Sequence, residues 1–236
     1  MNAPLDIGVP YQVRRSARAK RLQAAVRDGQ VEVVVPKGAR SGHVRAFVAE
    51  AAPWIVARVA RLERDGGTVL PARCVTGATL QLEGVTTPLA IERARTRRVR
   101  IERGETLVLT VPASIAEDAI EARARRALES WFRERAREVA RAHVEAYAPR
   151  LGRRPRGIRI KGQRTVWGSC GRTGLINLNW RLIGAPPPVF EYIVVHELCH
   201  LVERNHGPRF WRLVGELMPG YETQKDWLRR HGMRLG

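Results

Sequence analysis

Residues 191–206 read Glu-Tyr-Ile-Val-Val-His-Glu-Leu-Cys-His-Leu-Val-Glu-Arg-Asn-His, and this stretch constrains the chain more than any other. In an α-helix, residues four apart differ by about 40° in rotation and about 6 Å in rise. His196 and His200 therefore share a face and can bind one ion through their imidazoles. Glu197 lies beside His196 but turned from the ion, where it can hold a water instead of coordinating. An ion that acidifies water, next to a carboxylate that takes its proton, is the arrangement of a zinc hydrolase. A surface helix that happens to carry two histidines is the weaker reading. Val189, Phe190, Tyr192, Ile193, Val194 and Val195 make this a buried helix, where unpaired histidines and a carboxylate are costly. Pro186-Pro187-Pro188 suit its start, and the spacing predicts a helix over 187–202.

A catalytic zinc takes three protein ligands and keeps a fourth position open. His206 is the best third ligand. Glu203 shares the face of His196 but lies roughly 10 Å along the axis, so it reaches the ion only if the helix breaks early. His206 requires the chain to turn back after about Val202. Asn205 tolerates the left-handed conformation, and Gly207-Pro208 stops continuation of the helix.

Three blocks carry a family resemblance: Val166-Trp167-Gly168-Ser169-Cys170, the run from Ile176 to Ile183 (Ile-Asn-Leu-Asn-Trp-Arg-Leu-Ile), and His196 to Leu201 with Asn205-His206-Gly207 and Phe210-Trp211. Together with Pro219, Tyr221 and Trp227-Leu228 they resemble the YgjP-like metallopeptidases, relatives of the SprT and WLM zinc proteases. Arg15-Ser16, Val35-Pro36 and Trp54-Ile55 extend the likeness into the N-terminal half. Val166 and Gly207 depart from the family pattern without touching a ligand position. Metzincins also place a third His at this distance, but with Gly where this chain has Glu203. The resemblance implies a zincin-like fold, one Zn2+, ligands His196, His200 and His206, Glu197 as catalytic base, and a peptide or protein substrate.

A chain of 236 residues suits one large domain or two small ones. No apolar run reaches about 18 residues, so no membrane span is expected. The first residues lack a signal pattern. Cys74, Cys170 and Cys199 are odd in number and well separated, which points to reduced thiols and a cytoplasmic location. The net charge is +19, and 38 of the 42 basic residues are Arg. Such an excess favours polyanions, nucleic acid or nucleotides, unless it reflects composition alone. Two clusters stand out: Arg93, Arg95, Arg97, Arg98, Arg100 and Arg103, and Arg150, Arg153, Arg154, Arg156 and Arg159.

The expected fold is α+β, with N-terminal β-hairpin/helix units (1–112) followed by a zincin-like metallopeptidase domain (113–236) that holds a small sheet and the His-Glu-x-x-His helix. Strands are expected at Tyr11–Ser16, Arg21–Val26 and Val31–Val35 around an Asp28-Gly29 turn. A helix over Ser41–Arg64 follows, restarted at Pro53 and ended by Asp65-Gly66-Gly67. Residues 73–110 read as four short strands. A long helix is expected over 114–147, opened by a Ser114–Glu117 capping box. Val35-Pro36 to Trp54 and Val111-Pro112 to Trp131 have nearly the same spacing and suggest a duplicated unit, with chance as the alternative. Ile158–Lys161 alternates like a strand. Thr165–Gly168 and Leu175–Asn179 read as a hairpin within 165–179. Leu175–Asn179 is the candidate edge strand for pairing a peptide. Asn177 and Asn179 are candidates for fixing that peptide, or else for closing a turn. Trp167 reads as core, and Ser169 and Cys170 lack a nearby base.

Three functions follow. The first is a zinc peptidase. The second is a metal-dependent phosphohydrolase acting on nucleoside triphosphates, although no Gly-rich phosphate loop is present. The third is a nucleic-acid-binding protein with a structural metal, which combines with the first in a SprT-like protease. Glu197 argues against a purely structural site, which needs no base.

Overall fold

The computed structural model describes residues 5–27, 30–64, 68–163, 166–232 and 235. Three consecutive units share one strand plan. In the first, β1 (Tyr11–Ser16), β2 (Gln23–Arg27) and β3 (Gln30–Pro36) lie in the order β1-β3-β2, and α1 (Ser41–Arg64) follows. In the second, β4 (Thr79–Leu82), β5 (Val85–Ala94), β6 (Arg100–Arg103) and β7 (Leu107–Pro112) lie in the order β4-β5-β7-β6, and α2 (Glu117–Leu151) follows. In the third, β8 (Gly157–Lys161), β9 (Gly168–Cys170) and β10 (Leu175–Asn179) lie in the order β8-β10-β9. A 3-10 turn (Trp180–Gly184) then leads into α3 (Pro187–Cys199), α4 (Pro208–Leu217) and α5 (Glu222–His231). In every unit a central strand pairs parallel with one neighbour and antiparallel with its hairpin partner.

The first two units match in detail. Arg15 stands opposite Val35 and donates to the carbonyls of Lys37 (3.1 Å) and Ala39 (3.4 Å). Arg93 stands opposite Val111 and donates to the carbonyls of Ala113 (2.7 Å) and Ile115 (2.8 Å). In both, the acceptors lie one and three residues after the proline that ends the strand. A shared strand–proline–helix junction does not by itself reproduce this clamp, so the spacing in the sequence reflects a structural repeat.

Alternation builds the sheets: Val31, Val33 and Val35 are buried on β3, and Leu107, Leu109 and Val111 on β7. The long helix α2 buries Ala124, Leu128, Phe132, Ala136, Ala140, Val144 and Ala148. This stripe recurs every fourth residue, and its alanines let α3, the 3-10 turn and β8 pack closely against it. One core runs from Val69 to Leu235 and takes in the second unit, α2 and the third unit. A smaller one centres on Val33, Val35 and Val48.

Several expectations are corrected. The Ser114–Glu117 capping box does not form. The helix begins at Glu117 after an extended Ala116 with no side-chain cap, because Arg93 holds the carbonyls of Ala113 and Ile115 in a turn and also takes Glu117 at 2.7 Å. The helix runs on to Leu151, with Pro149 inside its last turn and Gly152 as a left-handed cap at φ 65. Pro53 lies inside one continuous α1 and does not restart it. Leu175–Asn179 is not an edge strand: β8 pairs it on one side and β9 on the other, so β8 and β9 are the edges, and β9 is the one beside α3. The hairpin's first strand is Gly168–Cys170 and not Thr165–Gly168. Thr165, Asp28-Gly29 and Asp65-Gly66-Gly67 lie outside the described residues.

Candidate metal centre

Pro187 and Pro188 open α3 at its first positions, where the missing N–H costs nothing. Its body is buried from Val189 to Val195, apart from partly exposed Glu191, and α2, α4, α5, β9 and β10 pack around it. The helix ends at Cys199, three residues earlier than the pattern implied, with His200 as its C-cap. Two contacts pull the chain off the axis there. His200 Nδ1 lies 3.0 Å from the carbonyl of Glu203, and Arg204 donates to the carbonyls of Gly171 (3.0 Å) and Arg172 (3.3 Å) in the β9–β10 turn. Glu203 thus supplies a backbone oxygen to this bend, and the chain returns with His206 facing the helix.

Among the described residues, His196, His200 and His206 form a cluster whose ligand atoms all lie within 4.8 Å of one another. The Nε2 atom of His206 is 3.0 Å from that of His196 and 3.1 Å from that of His200. Tetrahedral bonds of about 2.0–2.1 Å to nitrogen would set two donors about 3.4 Å apart, close to these separations. Burial, then the neighbouring His200, His206 and Lys225, push the His196 pKa down to about 3, and burial lowers that of His200. Both rings are therefore neutral at pH 7. The Nδ1–H of His200 is directed at the Glu203 carbonyl, which leaves its Nε2 as a bare lone pair. Three imidazole nitrogens in such proximity have no reason to converge without a cation between them, so the donor set fits a metal ion.

Glu197 is 4% exposed, and burial pushes its pKa up to about 8. Its Oε2 is buried without a hydrogen-bond partner. The carboxylate packs on the backbone of Gly168. A Cβ at residue 168 would sit 2.7 Å from the Glu197 Cγ and 2.8 Å from its Cδ, closer than real Cβ atoms come. Gly168 is thus the space that Glu197 occupies. In the sequence Gly168 stands out only as a member of the Val166–Cys170 block. The need for glycine here comes from a contact between residues 29 apart, which no local pattern reports.

The edge strand β9 also has a direction. Asn179 donates to the Trp167 carbonyl (2.8 Å) and Gly171 to the Leu175 carbonyl (2.9 Å). By the alternation of an antiparallel ladder, Gly168 and Cys170 turn their N–H and C=O groups outward. Asn177 donates to Ser169 Oγ at 3.1 Å. Asn179 is buried, donates to the carbonyl of Gln163 (2.9 Å) and accepts from Arg181 N (3.2 Å), so it caps the 3-10 turn. Trp167 is partly buried against the core, as expected.

An aromatic wall completes the site. His206 stacks on Trp211 (centroids 5.7 Å apart), Trp211 on Tyr221 (5.5 Å) and Tyr221 on Tyr192 (6.0 Å), whose ring meets His196 edge-on at 5.8 Å. Phe210, fully buried, stacks on His200 at 4.4 Å. Lys225 Nζ lies 3.8 Å above the Trp211 ring. The other three histidines are elsewhere: His43 is exposed on α1, His143 packs on Phe190 and faces Glu191 at 3.8 Å, and His231 packs on Trp227. Arginines of both clusters serve the fold. Arg103 pairs with Glu83 and Arg154 with Glu145, and Arg150 lies over the Tyr147 ring at 5.1 Å.

The sequence matches the family model described as YgjP-like, metallopeptidase domain, over residues 20–231. The chain belongs to this YgjP-like family. It is therefore a metallopeptidase, a metal-dependent hydrolase of peptides or proteins, with an α+β fold and a zincin-like domain. A solved structure similar to this YgjP-like chain is the metallopeptidase zymogen of Pyrococcus abyssi abylysin. The two are 24% identical over 40% of this chain and 96% of that one, with a TM-score of 0.37. No curated protein matches the YgjP-like chain. Among its described residues, no helix is long and apolar enough to cross a membrane.

Proposed function

We propose that the chain is a zinc peptidase in which His196, His200 and His206 hold the ion and Glu197 is the general base. The observation that carries this reading is the convergence of three imidazole Nε2 atoms beside a buried carboxylate with one oxygen unpartnered among the described residues. Zinc suits a set of three imidazoles and, when bound, supplies a Lewis acid that polarises a carbonyl and lowers the pKa of water. Among the described residues Glu197 Oε2 has no hydrogen-bond partner, which leaves it to accept a proton from the attacking water and pass it to the leaving amine. A nearby cation favours the ionised carboxylate, which offsets the burial that raises its pKa. Gly168 and Cys170 offer outward backbone groups, to which an extended peptide can add as a further strand. That strand lies against the carboxylate, so the paired peptide is presented to the base. The aromatic wall of Tyr192, Trp211 and Tyr221 packs on His196 and His206 and keeps these rings from turning. A cytoplasmic setting agrees with the three free cysteines.

The test is a product assay on zinc-loaded protein with mixed peptides, proteins and nucleoside triphosphates, and with Glu197→Gln as the blank. Glu197-dependent peptide cleavage is the expected result. Glu197-dependent phosphate release without peptide cleavage would replace this reading with the phosphohydrolase.

A further inference from the structure

A cation without a carboxylate stands at the metal centre. Lys225 follows Tyr221 by four residues, so the two side chains share one side of α5, and both meet Trp211. The Tyr221 ring stacks on the indole almost parallel, at 7°, and the Lys225 ammonium lies 3.8 Å from the ring centroid. The same indole lies 5.7 Å from the His206 ring and 5.9 Å from the His196 ring. Lys225 therefore rests on the ring that packs against two of the three imidazoles. Its charge is felt there, since it is among the groups that lower the His196 pKa.

Among the described residues no carboxylate pairs with this ammonium. The two acids of its helix are engaged elsewhere: Asp226 pairs with Arg229 and Arg230, and Glu222 acts on Tyr221. Arg204 is the comparison. It too is a cation that acts on a ligand, His200, but its guanidinium is taken up by the carbonyls of Gly171 and Arg172. Lys225 is exposed, and a ring face holds an exposed ammonium only weakly. The residue type also fits a mobile charge. Only four of the 42 basic residues are Lys, and Lys carries a compact point charge on a flexible stem where Arg carries a fixed fork. A second positive charge beside a cation-binding triad is unfavourable, and nothing among the described residues offsets it. A negative group brought by the ligand does.

We propose that Lys225 is a specificity-determining residue that takes a carboxylate of the peptide substrate close to the scissile bond. In the free protein the ammonium rests on Trp211, and in the complex it swings from the indole to the carboxylate. An aspartate or glutamate side chain and a peptide C-terminus offer the same group. The proposal rests on the peptidase reading for the class of ligand and adds to it the selection among peptides.

The test measures binding, not turnover, on the zinc-loaded full chain carrying Glu197→Gln. The probes are three labelled peptides of one alanine–phenylalanine sequence. The first has a central glutamate and an amidated C-terminus, the second has glutamine in its place, and the third has that glutamine and a free C-terminus. At least one carboxylate-bearing peptide should bind about fivefold tighter than the neutral one, the upper range for an exposed ion pair, and the advantage should shrink at high salt. Which peptide gains tells a side chain from a C-terminus. Lys225→Met keeps an apolar stem on Trp211 and should abolish the advantage. Lys225→Arg should keep it, and Lys225→Glu should reverse it in favour of a lysine-bearing peptide. Equal binding of the three peptides, or an advantage that survives Lys225→Met, would overturn the assignment. So would Lys225-dependent binding of a nucleoside triphosphate without a carboxylate preference, which would give the ammonium to phosphate. With Glu197 restored, Lys225→Met should raise KM for the carboxylate-bearing peptide alone. An equal fall in kcat for all three would also overturn the assignment and direct the ammonium to the charge that develops on the scissile carbonyl. Cleavage without a carboxylate preference sinks only the role of Lys225, and a Lys225-dependent preference without cleavage sinks only the catalytic reading.

Discussion

The first and third units set one edge strand against one helix, yet only the third gathers the groups of a reaction centre. The difference lies in few side chains. Where the first groove carries Ala24, Phe47 and Trp54, the third carries two histidines, a buried glutamate and a glycine that makes room for it. A scaffold of this kind supplies an extended groove with an open strand edge. Chemistry is added by a handful of residues and by one missing Cβ. The third histidine belongs to neither strand nor helix but to the bend after α3.

The comparison can be broken most directly at the base. Glu197→Gln should lower peptide turnover by about 10³-fold while keeping metal and fold, because an amide accepts no proton. Product formation and elemental analysis on the same sample check this. Loss of zinc would make Glu197 a ligand, and unchanged turnover would remove the mechanism.

The bend comes next. His206→Ala should lower zinc affinity by about 10²-fold or more, since one of three ligands is gone, whereas His143→Ala and His231→Ala should keep the metal. Zinc content after dialysis against a weak chelator separates the three. Full retention in His206→Ala would turn attention to Glu203.

Gly168→Ala sharpens the contrast between the two grooves. The added Cβ has no room beside Glu197, so kcat should fall about 10²-fold with zinc retained. Shortening the carboxylate should relieve the clash. The cost of Gly168→Ala should shrink in a Glu197→Asp background, a coupling that a double-mutant cycle reads directly. Equal costs in both backgrounds would show that Gly168 acts on the strand and not through the base.

The smallest effect is a pH dependence confined to the metal-free protein. The Glu197 pKa is raised from 4.5 to about 8. Its contribution to stability is complete below the lower value and is lost as pH rises to the upper one. The depressed His196 pKa acts oppositely, but only below its ordinary value of 6.5. Between pH 7 and 8 the metal-free chain should therefore lose up to about 1.4 kcal/mol of stability. Denaturant unfolding with and without zinc, and with Glu197→Gln, checks it. A flat metal-free profile would contradict the burial of this carboxylate.

Much of the molecule was legible in the chain. Periodicity located α1 over Ser41–Arg64. Helical spacing paired His196 with His200, and Gly207-Pro208 foretold the stop before which His206 returns to them, but Asn205 is not left-handed: among the described non-glycine residues only Glu83 has a positive φ. The proline-to-tryptophan spacing disclosed a repeat. All of these depend on residues within a few turns of one another, which is the range over which local propensity and periodicity operate.

Tertiary structure decided the rest. Parallel pairing with β8 made Leu175–Asn179 the central strand and left β8 and β9 as the edges, which the chain does not announce because pairing between strands apart in sequence leaves no local signature. Arg204 and the Glu203 carbonyl ended α3 at Cys199, where helical propensity alone would have continued it. Arg93 forbade a capping box that the residues themselves allowed. The need for glycine at 168 exists only once the strand and the helix meet. In each case the sequence determined which groups were available, and long-range packing determined which of them met.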